Sequence, residues 1–344
     1  MRQWFVIAII SVFAAVPANA QPLLGHVEQR SFIGPVTGLP VSFNIYLPEG
    51  YAQSTARYPV IYHLHGIGGS QRGPQNTTVP RSFEQALAQN LIGPVIVVFP
   101  NGYVDSFWAD SVSGTKPAET DVIQQLIPHV DANFRTIATP GARVMQGFSM
   151  GGFGATKFYT KFPHLFAACV EYDGAMVTWA VMLQSHPTQA ASIFGGSEST
   201  FNQYSPWHWS SVNAPTLADG PPIRMVVGSL SGGNQNFRNH LQTLGVPFDY
   251  VQTTCGHDVG CLLTAEGLAS AAFIAQHLDL SGELDPADLD GNGFVNVADL
   301  LAVIAAWGPC ANPKVCPADI APLATGGNGI VNVEDLLLVI SHWG

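Results

Sequence analysis

Val144-Met145-Gln146-Gly147-Phe148-Ser149-Met150-Gly151-Gly152 decides the fold. A short apolar run ends in Gly-x-Ser-x-Gly, and residues 151–162 follow with helical character. This pattern fits a sharp turn from strand into helix that presents a nucleophile. Gly147 and Gly151 lack side chains, so the chain can turn tightly and hold Ser149 in a strained conformation. The Ser149 hydroxyl would then stand above the end of a sheet, with a helix N-terminus aimed at it. An ordinary Gly/Ser turn carries the same letters. The strand before, the helix after and two further loops in matching order favour the nucleophile turn.

Outward from this turn, apolar runs alternate with helical spacing. Upstream, residues 41–47, 58–64 and 94–99 read as strands, and 81–89 and 120–134 as helices. Downstream, residues 166–172, 222–228 and 247–253 read as strands, and 234–244 and 262–278 as helices. The alternation predicts an α/β domain whose mostly parallel sheet carries helices on both faces. Ligands of such sheets bind at the carboxyl ends of strands, where Ser149 falls. Residues 175–220 read as a long excursion over that edge, with Trp179, Trp207 and Trp209 either lining a cleft or packing beneath it.

The chain has 344 residues, enough for one large domain and one small one. It is 47% hydrophobic and only 11% charged, which supports a sizeable core. A formal net charge of -11 argues against nucleic acid as a partner. Residues 1–20 read as a secretory signal peptide: Arg2, an apolar run over 4–16, then Ala18-Asn19-Ala20. The apolar run is short for a membrane span, and no other segment reads as transmembrane. Export would place the cysteines in an oxidising compartment. Cys255 and Cys261 flank a Gly-His-Asp phrase, Cys310 and Cys316 sit in a Pro-rich connector, and Cys169 falls in an apolar run as a buried thiol. Each flanking pair could close a small loop, though spacing alone leaves the pairing open.

Two loops complete a hydrolase constellation. His63-Leu64-His65-Gly66-Ile67-Gly68-Gly69 follows the second strand and can turn N–H groups toward the site. With the N–H of Met150, that of Ile67 would form an oxyanion hole. Gly256-His257-Asp258 follows the last strand, where a general base can reach the Ser149 hydroxyl. These phrases together resemble the esterase D-like esterases, α/β-hydrolases that include feruloyl and acetyl-xylan esterases and related mycolyltransferases. The resemblance spans residues 41–278. It implies Ser149 as nucleophile, His257 as base, Ile67 and Met150 as oxyanion donors, and no catalytic cofactor.

One departure concerns the acid. The family carries it in a Gly-x-x-Asp phrase after the strand that here ends at Gly228, but this chain reads Gly228-Ser229-Leu230-Ser231. Asp173, just past the preceding strand, is the substitute; it also fits a simple turn before Gly174. Asp258 is the other choice, although its carboxylate would have to fold back on its own neighbour.

Polarity changes after residue 280. Residues 281–344 hold eight Asp or Glu against one Lys, and a phrase is duplicated: residues 293–301 match 329–337, and each copy runs on to Trp-Gly. This internal repeat marks a small helical module. Asp288, Asp290, Asn292, the carbonyl of Phe294, Asn296 and Asp299 have the spacing of a calcium loop, with Gly293 at the sharp turn. The tail resembles a type I dockerin, which implies Ca2+ and a cohesin-type partner. In the second copy, counting back from Asp335 puts Ala324 and Gly326 at the first and third ligand positions. Asp319 could serve there only across an insertion.

Together these readings predict a signal peptide (1–20), an esterase domain (21–280) and a calcium-binding tail (281–344). The expected activity is secreted deacylation of feruloyl or acetyl esters on polysaccharide. An acyltransferase, or a catalytically silent binding module lacking the acid, are the rival readings.

Overall fold

The computed structural model describes residues 22–281, 286–289, 295, 297–310, 316–322 and 327–342. Strands β1 (His26–Ile33), β2 (Pro40–Leu47), β3 (Val60–Leu64), β4 (Ile96–Pro100), β5 (Arg143–Phe148), β6 (Ala168–Tyr172), β7 (Ile223–Val227) and β8 (Phe248–Gln252) form one sheet. Its order is β1-β2-β4-β3-β5-β6-β7-β8. Every pairing from β4 to β8 is parallel, whereas β1 and β2 run antiparallel to their neighbours. β3, β4, β6 and β7 are buried along their whole length, because helices cover both faces.

Helices α1 (Gln75–Ala88), α2 (Ala118–Thr120), α3 (Ile127–Asn133), α4 (Met150–Lys161), α10 (Ser231–Leu244) and α11 (Val259–His277) surround the sheet. Side chains divide by strand alternation. Ile61, Val97, Val144 and Val170 meet Val79 and Phe83 of α1 and Leu262 and Ile274 of α11. Tyr62, Val98, Met145 and Cys169 meet Phe153 and Phe158 of α4 and Val130 of α3 on the other face. α11 is apolar and long enough, at 19 residues, to cross a bilayer by length and composition. Here it packs against α1, β6 and β7.

Three elements differ from expectation. β1 has no apolar alternation because it is the exposed edge strand, where polar side chains block further pairing. α1 starts at Gln75, not 81, and runs through Pro80, the residue that reads as a helix breaker. The helix expected over 120–134 is interrupted by a π-helical stretch, Asp121–Leu126, between α2 and α3. Its stripe of Val122, Leu126, Ile127 and Val130 is nonetheless buried.

The 175–220 excursion folds into five short helices: α5 (Trp179–Ser185), α6 (Pro187–Ser192), α7 (Glu198–Asn202), α8 (Pro206–Val212) and α9 (Ala214–Ala218). In the tail, α12 (Val297–Ala305) and α13 (Val333–Ser341) share a separate apolar cluster with Ala287, Val295 and Val331. Cys255 is bonded to Cys261 and Cys310 to Cys316, and Cys169 is a buried free thiol. Residues 1–20 lie outside the described residues.

Candidate active site

Ser149 sits between β5 and α4 with φ 59° and ψ -118°, a conformation that costs about 1–3 kcal/mol and needs its surroundings to hold it. A Cβ at Gly147 would collide with the Gly151 carbonyl, and one at Gly151 with the Leu64 carbonyl, so both positions require glycine. The turn is tied to the end of β6. Ser149 N–H donates to Tyr172 O at 3.0 Å, and Ala175 N–H donates to Ser149 O at 2.9 Å.

His257 lies in the loop between β8 and α11, inside the ring closed by the Cys255–Cys261 bond. Its Nε2 is 2.8 Å from Ser149 Oγ, and its Nδ1 is 2.7 Å from Asp173 Oδ2. The Phe148 ring packs beside the imidazole with centroids 4.6 Å apart. Asp258 is turned away: its Oδ1 accepts the Cys261 N–H at 2.8 Å and caps α11. Asp173, 0% exposed, adopts φ 45° at the end of β6. Its Oδ1 accepts N–H bonds from Gly228 at 2.8 Å and Leu230 at 3.0 Å. The loop after β7 therefore supplies main-chain donors to a carboxylate carried by β6.

The N–H groups of Ile67 and Met150 have no hydrogen-bond acceptor among the described residues. Gly66 lies against Ser149, where an added Cβ would come 3.1 Å from the serine Cβ. His65, within the His63-Leu64-His65-Gly66 phrase, carries no sign of its role in the sequence. Its Nδ1 donates to Gly66 O at 2.9 Å and its Nε2 accepts from Gly102 N–H at 3.2 Å, which together fix the tautomer. Burial pushes its pKa down to about 4, so the ring stays neutral and clamps the loop. Trp108 Nε1 donates to His65 O at 3.3 Å, and Gly68 N–H donates to Val104 O at 2.6 Å. The supporting residues Tyr103, Phe107 and Trp108 all have positive φ, a feature that three bulky aromatics do not signal in sequence.

A cavity of about 540 Å³ adjoins the Asp173 turn, with Gly174 and Ala175 in its wall, though Ser149 and His257 themselves do not line it. Met176, Val177, Val181, His186, Trp207 and Leu230 supply much of its wall. No Asp, Glu, Lys or Arg lines it, and burial lowers the pKa of His186. Of the three tryptophans, Trp207 lines the cavity. Trp179 packs on Phe201, and Trp209 donates to Gln203 O at 2.8 Å.

In the tail, Asp288 and Asp299 are buried, while Asp290, Asn292, Phe294 and Asn296 lie outside the described residues. Asp299 Oδ1 accepts Leu289 N–H at 2.8 Å, just as Asp335 Oδ1 accepts Ile320 N–H at 2.7 Å. This shared contact aligns Asp319, rather than Ala324, with Asp288 and puts the insertion after Asp319. Its oxygens accept the N–H groups of Asn328 and Gly329. The described side chains Asp288, Asp299 and Asp319 offer carboxylate oxygens, a ligand type that fits a hard divalent cation.

The family model described as "Putative esterase" matches residues 35–244, more than half of the chain. The chain belongs to this esterase family. Esterase Rv1288 of Mycobacterium tuberculosis is 38% identical over 249 residues, covering 62% of this chain and 52% of that protein. The chain thus spans about half the length of the curated relatives it matches first. The endo-1,4-beta-xylanase/feruloyl esterase of Xylanibacter ruminicola is 32% identical over 149 residues, covering 41% of this chain and 20% of that protein. A solved ferulic acid esterase superposes with a TM-score of 0.64 at 19% identity, covering 75% of this chain and all of that one. At that identity the likeness establishes the α/β-hydrolase fold of this esterase-family member.

Proposed function

We propose that this chain is a serine carboxylic ester hydrolase acting on feruloyl-type esters linked to polysaccharide. The observation that carries the reading is the hydrogen-bonded line Ser149–His257–Asp173 beside two N–H groups without acceptors. Ser149 Oγ attacks the ester carbonyl as His257 Nε2 takes its proton. The Asp173 carboxylate, charged and buried, stabilises the imidazolium and keeps Nδ1 protonated. Ile67 and Met150 N–H groups bind the oxyanion where negative charge develops. The alcohol leaves with the proton held by His257. Water then attacks the acyl-enzyme carbonyl as His257 takes its proton; the bond to Ser149 Oγ breaks, His257 returns the proton to that oxygen, and the acyl group departs as the acid.

The cavity favours an aromatic acyl group over acetyl. Its volume of about 540 Å³ far exceeds an acetyl group, and its uncharged, largely apolar wall, with Thr178, Ser229 and Asn236 among its polar residues, suits a neutral ring bearing hydroxyl groups. The feruloyl esterase named among the relatives points the same way. Kinetics on 4-nitrophenyl ferulate and 4-nitrophenyl acetate, which share one leaving group, test the reading. The expected result is higher kcat/KM for the ferulate, with Trp207→Ala lowering the ferulate-to-acetate ratio about tenfold through lost apolar contact. A chain that prefers acetate, with a ratio indifferent to Trp207, would contradict it.

The tail is read as a calcium-dependent docking module on an exported enzyme. Val297, Leu301 and Ile304 on α12 and Val333, Leu337 and Ile340 on α13 are exposed at identical spacing, which supports a cohesin-type partner meeting either copy. The signal-peptide reading of residues 1–20 and two disulfides support export. Calcium titration of the chelator-treated full chain should show binding that Asp288→Ala weakens, while ester turnover survives chelation. A chain that takes up no calcium would refute the loop assignment.

A further inference from the structure

Glu171 lies on β6 two residues before Asp173 and is 0% exposed. Its Oε2 accepts the Gly174 N–H at 2.5 Å, and its Oε1 has no partner. The contact closes the turn that carries Asp173 out of the sheet at φ 45°. Two further bonds hold the same turn: Asp173 N–H donates to Val226 O at 2.7 Å, and Asn234 Nδ2 donates to Gly174 O at 2.9 Å. Space around the carboxyl is fully used. A Cβ on Gly174 would fall 2.7 Å from Glu171 Oε2, and a Cβ on Gly152 would fall 2.7 Å from Gly174 Cα.

Two buried carboxyls, one of which feels the charge of the other, cannot both ionise cheaply. Asp173 has the imidazole and the N–H donors of Gly228 and Leu230, whereas Glu171 has one N–H. The proton therefore belongs on Glu171. The titratable groups that feel Glu171 are Asp173 on the turn after its strand, Cys169 on the strand itself and Tyr250 on β8. β5 and β7 sit beside it with Gly147 and Met225, α4 faces it with Gly152, and α10 reaches the turn through Asn234, so none of these brings a charge.

We propose that Glu171 is the positioning residue of the Asp173 turn and acts as an uncharged carboxyl, so that its ionisation marks the alkaline limit of ester turnover. Burial pushes its pKa up to about 8, opposed by the Gly174 N–H and reinforced by the Asp173 charge. Below that pH the carboxyl is neutral and the turn is held. Above it, a second negative charge sits beneath the Asp173–His257 pair and loosens the geometry that keeps the imidazole on Ser149. The proposal rests on the esterase reading of this site.

The test is the pH profile of kcat and KM on an aryl ester, with fluorophosphonate labelling of Ser149 followed in parallel. Glu171→Gln keeps the acceptor for Gly174 N–H and cannot ionise, so its alkaline limb should move up by at least about one pH unit. Glu171→Leu removes the acceptor, and its kcat at pH 7 should fall about 10- to 100-fold at nearly constant KM, a loss that Gln does not share. Thermal melts of each variant separate misfolding from misplacement. If the wild type labels and turns over but Glu171→Gln shares its alkaline limb, or loses as much as the Leu variant, the proposal is wrong and the esterase reading stands. A folded wild type inert to probe and esters at every pH overturns both.

Discussion

Ser149→Ala is expected to lower kcat on an aryl ester by roughly 10⁶-fold, the scale set when the nucleophile of a working triad is removed. By transition-state arithmetic that is roughly 8 kcal/mol of lost stabilisation. Binding should persist, since the cavity wall and both oxyanion N–H groups are untouched. A fluorophosphonate should label the wild type at Ser149 and leave the variant unlabelled. Mass spectrometry placing the label on another serine would displace Ser149 from its role. Ser149→Gly gives a second readout. It should abolish activity yet raise Tm, because glycine tolerates φ 59° without the strain that serine bears.

The next largest effect is expected for Asp173→Asn, a fall of about 10⁴-fold in kcat. The hydrogen bonds explain why so small a change acts so strongly. Asp173 Oδ1 accepts from Gly228 and Leu230 N–H groups, so an Asn amide would keep its oxygen there and turn its NH₂ to His257. Nδ1 would then have to accept, the proton would move to Nε2, and the ring could no longer take the Ser149 proton. The fold should be retained. Asp258→Asn is the control: its carboxylate caps α11, and Asn also caps, so turnover should change by only a small factor. If the Asp258 variant were the more damaged of the two, the acid would be Asp258.

The core of the sheet was legible because β3, β4, β6 and β7 are buried on both faces and leave uninterrupted apolar runs. β1 was not, since an edge strand owes its place to pairing with β2 and needs no apolar face. Nor were α5 to α9, whose five to seven residues are too few to show helical periodicity. At the site, Ser149 and His257 could be named from motif and chain order. Asp173 could be preferred to Asp258 only because the carboxylate of Asp258 would have to fold back on its own neighbour. Their difference lies in long-range contacts: 55 residues separate Asp173 from the Gly228 N–H that anchors it. His65 and Glu171 were hidden for a related reason. Each acts through a backbone group brought near by a turn, which composition and spacing do not encode.

With Asp173 as the acid, the loop after β7 contributes only its main chain to the chemistry. Gly228 alone is constrained there by space, since an added Cβ would press on the Gly256 carbonyl and the Asp173 carboxylate. The side chains of Ser229 and Leu230 face the cavity instead. Residues at these two positions can therefore be exchanged to reshape substrate preference with no loss of a reacting group. In a homologue that carries its acid on this loop, the same exchanges would work around a fixed aspartate. Moving one carboxylate across to the neighbouring strand would free the side chains of this loop from the chemistry, and libraries aimed at new acyl groups would have their freest positions at 229 and 230.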